Sequence, residues 1–103
     1  MIIDKTTIMS SVKRYATAVQ KELRPDAIFL FGSYAKGTAT EDSDIDIAVV
    51  VNDFTGNHLE TAAKLYNLTW DIDTRIEPIL LDVAKARRSF VNEVMRTGEM
   101  ITV

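Results

Sequence analysis

Gly32-Ser33-Tyr34-Ala35-Lys36-Gly37-Thr38-Ala39-Thr40-Glu41-Asp42-Ser43-Asp44-Ile45-Asp46-Ile47-Ala48-Val49-Val50 is the stretch on which the fold turns. Just before it, Ala27-Ile28-Phe29-Leu30-Phe31 reads as a buried strand that Gly32 closes. Lys36 to Ser43 is polar and carries a glycine, so it reads as a loop. Asp44 to Val51 then begins by alternating acid and isoleucine and ends as an apolar run. That pattern suits a central strand whose leading end emerges at the surface.

Outward from this pair of strands, the rest of the chain supplies cover. Ile8, Val12, Tyr15, Ala16, Val19 and Leu23 recur at helical spacing, so a helix is expected from about Thr7 to Leu23. Asp4 or Thr6 could cap it, and Pro25 ends it. Asn57 and Glu60 resemble a capping box, opening a helix expected to bury Leu59, Ala63, Tyr66 and Trp70. A third strand is expected from Asp73 to Leu81, at a sheet edge because Pro78 lacks a ladder donor. Asp82 could cap a last helix with Phe90, Val91, Val94 and Met95 inward and Gly98 as its stop. Met100 to Val103 reads as a short terminal strand. The expectation is an α+β fold, an α/β sandwich with a small mixed sheet and flanking helices. Residues 1–103 are expected to form a single domain, with no repeat or linker.

Composition narrows the function classes. The formal charge of −3 argues against a basic nucleic-acid grip, which draws its affinity from Lys and Arg on phosphates. The absence of cysteine excludes thiolate catalysis and Cys-ligated metals. Met1 to Lys5 shows no secretory pattern, and the longest apolar run, Ile47 to Val51, is far too short to span a membrane. A cytoplasmic protein with no membrane contact is expected.

The chemistry lies in the quoted stretch. Residues two apart on a strand share a face, so Asp44 and Asp46 project side by side, their Cα atoms about 6.5 Å apart. Two carboxylates that close repel unless a cation lies between them. Hard oxygen ligands suit Mg²⁺, which completes its shell from water and substrate phosphate. Gly32 lets a phosphate approach the backbone, Ser33 adds a donor, and Lys36 is near enough in sequence to add positive charge. A third carboxylate is expected from the last long strand. Glu77 is the first choice and Asp73 the second, with Arg75 on the same face.

Gly-Ser, ten residues, then Asp-x-Asp resembles the signature of the polymerase β-like nucleotidyltransferase superfamily. The size and the wording Ser43-Asp44-Ile45-Asp46-Ile47 are most similar to its minimal branch. The resemblance implies that Gly32 and Ser33 hold nucleotide phosphates, that Asp44 and Asp46 bind Mg²⁺, with two ions expected, and that Arg75-Ile76-Glu77-Pro78-Ile79 occupies the place of the third acid. The proline departs from the family pattern there. The minimal branch is typically encoded beside a small helical HEPN-class protein as a toxin–antitoxin pair. The implied reaction is therefore transfer of AMP from ATP to a tyrosine hydroxyl of that partner. Two alternatives stand beside it: an antitoxin that neutralises by binding alone, and transfer to a small molecule such as an aminoglycoside.

Overall fold

The computed structural model describes residues 5–103. Helix α1 spans Lys5–Glu22 and strand β1 Ala27–Phe31. A single helical turn, α2, covers Ser33–Lys36, and β2 runs Ile45–Val51. Helix α3 is His58–Asn67 and continues into a 3-10 turn at Leu68–Asp71. Strand β3 is Ile76–Asp82, α4 is Arg88–Thr97, and β4 is the short pair Glu99–Met100.

The four strands lie in the order β3-β2-β1-β4. Strand β2 pairs antiparallel with β1 and parallel with β3, and β4 adds antiparallel to β1. The sheet is therefore mixed, with β2 inside it and the proline-bearing β3 at an edge, as the sequence reading requires.

Side-chain alternation divides the sheet into two faces. Ile45, Ile47, Val49 and Val51 face a core that includes Ile8, Val12, Tyr15, Val19 and Leu65 from α1 and α3. Phe29, Ala48, Val50 and Leu81 face the other way, against Val94 of α4. The helical stripe expected of α1 is borne out: Ile8, Val12, Tyr15, Ala16 and Val19 are buried and Leu23 is half-buried. Arg24 adopts a left-handed φ of 52° just before Pro25 and so closes the helix. Thr6 lies inside α1 rather than capping it, and Asp4 lies outside the described residues.

Several expectations are corrected. Helix α3 carries two apolar stripes, and the structure buries the other one. Leu65 and Thr69 face inward with Leu68 behind them, whereas Leu59, Tyr66 and Trp70 are 81%, 50% and 68% exposed and Ala63 is also exposed. The Leu65 face is pinned because its carbonyl accepts a 2.6 Å hydrogen bond from the buried Tyr15 hydroxyl. Asn57 does cap α3, its Oδ1 accepting from the Glu60 amide at 2.9 Å.

Asp82 does not cap α4, whose N-cap position is Arg87. Its buried carboxylate accepts from the amides of Asp53, Phe54 and Ala84 instead, tying the turn after β2 to the end of β3. On α4 only Val94 is fully buried and Val91 half-buried, while Phe90 and Met95 stay exposed. Gly98 ends the helix as expected, its amide donating to the Val94 carbonyl. The terminal strand begins one residue earlier than expected and covers two residues.

Candidate active site

Strand register sets out the site. Phe31 of β1, Asp46 of β2 and Glu77 of β3 form one row across three strands. Neighbours in such a row share a face, here the one covered by α4. Asp44 immediately precedes β2 and joins Asp46 on that face by the two-residue period.

The charges report the crowding. Burial, and then the charge of Asp44, raise the pKa of Asp46. The charge of Asp44 raises Glu77 most strongly, followed by desolvation, a side-chain hydrogen bond to Asp44 and the charge of Asp46. Three carboxylates thus crowd the leading end of β2, and among the described residues no cation lowers the Asp46 or Glu77 value. Among the described residues no group of three acids or histidines is arranged so that it could hold a metal ion as it stands. The donor set is nonetheless hard oxygen, mutually repelling and partly solvated, which fits a divalent cation such as Mg²⁺.

Gly32 borders this cluster with φ 73° and ψ −148°, a region open to glycine alone. A Cβ built there would come within 3.2 Å of Asp46 Cγ and collide with its Oδ2. The single turn α2 follows, with Ser33 half-buried at its start and Tyr34 buried beneath it. The sequence reading took Lys36 as the start of a loop and missed this turn, since four residues are too few for periodicity to register.

Lys36 carries its charge toward α4, where its Nζ lies 3.4 Å from Glu93 Oε1. Asp73 stands apart from the acids. The Arg75 amide and Nε each donate to Asp73 Oδ1 at 3.0 Å, and Nη2 donates to Oδ2 at 2.7 Å. That pairing holds the Asp73 carboxyl below its usual range. Asp73 to Arg75 is therefore a tight polar turn rather than strand, and the shared face expected for Asp73, Arg75 and Glu77 does not form. The structure brings together Gly32, Ser33, Asp44, Asp46 and Glu77, and it commits Asp73 to Arg75.

A glycine corner beside clustered acids on a mixed sheet points to a nucleotidyltransferase domain. Residues 13–103 match the family model described as polymerase beta, nucleotidyltransferase. The chain belongs to that family. It is 30% identical over 95 residues to a Methanocaldococcus jannaschii protein provisionally named protein adenylyltransferase MJ0141, covering 88% of this chain and 92% of that one. It is 38% identical over 77 residues to the protein adenylyltransferase MntA of Shewanella oneidensis, covering 72% of this chain but only 51% of that one. Among solved structures, a toxin–antitoxin complex with AMP-PNP is similar, with a TM-score of 0.64, 26% identity, and 85% of this chain and 70% of that chain covered.

Proposed function

We propose that this chain, acting as a single nucleotidyltransferase domain, transfers AMP from ATP to a hydroxyl of a partner protein, and that the acceptor is a tyrosine of a small helical HEPN-type toxin. The observation that carries the reading is the meeting of Asp44, Asp46 and Glu77 beside Gly32 and Ser33. The relatives named as protein adenylyltransferases and the toxin–antitoxin likeness support the choice of a protein acceptor. So does the exposed stripe of Leu59, Tyr66 and Trp70, whose composition is that of protein interfaces.

On this reading Gly32 and Ser33 hold the β- and γ-phosphates, with Lys36 available once it leaves Glu93. Asp44, Asp46 and Glu77 would hold Mg²⁺, which when bound offsets the charge of the triphosphate and helps to orient it. The acceptor oxygen attacks the α-phosphorus. The bond from that phosphorus to the bridging oxygen of the β-phosphate breaks, and pyrophosphate leaves. Glu77 would complete the acidic cluster and help to activate the acceptor hydroxyl, whose proton leaves as its oxygen bonds to phosphorus.

The test is incubation of the protein with α-labelled ATP, Mg²⁺ and host lysate, beside an Asp44→Asn/Asp46→Asn double variant. Label on one small protein, absent with the variant, is the expected result. Neutralisation of a partner that survives the double substitution, without label, would favour the binding-only antitoxin.

A further inference from the structure

Of the two exposed apolar residues on α4, Phe90 and Met95, Phe90 is the one whose ring contact leads to the acidic row. Val94, one turn on, is fully buried against the sheet, yet Phe90 as a residue is 38% exposed. Its ring meets Phe31 edge to face, with centroids 5.9 Å apart and planes at 82°. Phe31 is the register partner of Asp46 and the residue directly before Gly32. Phe90 therefore stands one side chain away from both halves of the site. Its helix is tied to the same corner, because Glu93, one turn along, pairs with Lys36 of α2.

We propose that Phe90 is the platform on which the nucleobase of the bound nucleoside triphosphate stacks, with Phe31 bracing its ring. This rests on the nucleotidyl-transfer reading and adds a base contact to it. With the triphosphate at Gly32 and Ser33 and its α-phosphate beside Asp46, one ribose carries the base toward α4, where an apolar ring lies partly open. An aromatic face accepts any base, and a purine overlaps it more fully than a pyrimidine. The platform thus favours a purine nucleotide without reading its hydrogen-bonding edge.

The experiment is calorimetric titration of the full chain, with Mg²⁺ present, by ATP and separately by inorganic tripolyphosphate. Wild type is compared with Phe90→Leu, which keeps the apolar packing on Phe31, with Phe90→Ala, and with Phe90→Tyr, which keeps the flat ring. Base–aromatic stacking predicts about a tenfold loss of ATP affinity for the leucine and alanine variants, near-wild-type affinity for the tyrosine variant, and unchanged tripolyphosphate affinity throughout. ATP affinity unchanged in the leucine and alanine variants would overturn the platform, as would equal weakening of both ligands. A wild type that binds tripolyphosphate as tightly as ATP would overturn it and leave the phosphate corner standing. A wild type that binds neither would bring down the nucleotidyl-transfer reading itself.

Discussion

The missing side chain of Gly32 is the space that Asp46 Oδ2 occupies. The glycine follows β1 in a conformation that other residues avoid, and the aspartate is the second residue of β2 on the neighbouring strand. The close approach of these two residues joins the glycine corner to the acidic row. A methyl group at position 32 would push the carboxylate out of line.

Gly32→Ala is accordingly expected to cost both stability and activity. The strained backbone alone costs about 1–3 kcal/mol, and the displaced Asp46 carboxylate should lower nucleotidyl transfer further, by on the order of 100-fold. Thermal melts and labelled-ATP transfer measured on one preparation check the two effects separately. Wild-type transfer by Gly32→Ala would show that Asp46 tolerates the crowding.

Tyr15 offers a cleaner measure of the core. Its hydroxyl is buried and donates to the Leu65 carbonyl across fifty residues of sequence, and burial pushes its pKa well above the ordinary tyrosine value. Tyr15→Phe keeps the ring and leaves that carbonyl without its donor. A loss of about 1–2 kcal/mol is expected in urea denaturation, with no change in the denaturant slope.

The two stripes of α3 make opposite predictions about stability. Leu65→Ala should cost about 2–5 kcal/mol, because it opens a cavity beneath the sheet. Leu59→Ala should stay within about 0.5 kcal/mol of wild type, since that side chain is exposed. Equal losses at both positions would mean that the helix is rotated relative to the sheet.

That contrast also marks where the sequence was legible and where it was not. Strand β1 could be read from Ala27–Phe31 because an unbroken apolar run closed by a glycine has few other folds available, and β2 because acid and isoleucine alternate before an apolar run. The shared face of Asp44 and Asp46 was legible from the strand period, whereas their pairing with Gly32-Ser33 came from the resemblance to the family's spaced signature. Helix α3 was ambiguous because Leu59, Tyr66 and Trp70 make as regular a stripe as Leu65, Leu68 and Thr69. Only tertiary contacts, the Tyr15 hydrogen bond among them, select between the two. The start of β3 was misread because Asp73-Thr74-Arg75 alternates like a strand while its charges satisfy one another locally. The space made by Gly32 for Asp46 had no sequence signal, since it arises between strands.

Stability at low pH should depend on Asp82. Amide donation from Phe54 first, and also from Asp53 and Ala84, holds its carboxyl below the usual range, and Arg75 does the same for Asp73. Depressed folded-state values mean that this stabilisation is present above the unfolded pKa, near 4, and is lost as pH falls through the folded values. Asp46 and Glu77 have raised values and the opposite sign: their strain eases as they protonate. Melts of wild type and Asp82→Asn from pH 7 down to pH 3 should converge as pH falls, with the variant the less stable at neutral pH. Parallel curves would mean that Asp82 stays protonated or unpaired in solution.

The acidic row also predicts a response to metal that does not depend on turnover. Without a cation, Asp44, Asp46 and Glu77 repel one another, so Asp44→Asn should be no less stable than wild type in chelator, and somewhat more stable if repulsion outweighs lost hydrogen bonds. Mg²⁺ that binds only the folded chain should stabilise wild type by about 1.4 kcal/mol at ten times its dissociation constant. The Asp44→Asn variant should gain little, because one of the three carboxylates proposed to hold the ion is gone. Differential scanning calorimetry with and without Mg²⁺ measures both increments. Equal increments in the two proteins would assign the ion to sites outside this row, and no increment in wild type would mean that the acids recruit the cation only together with the triphosphate.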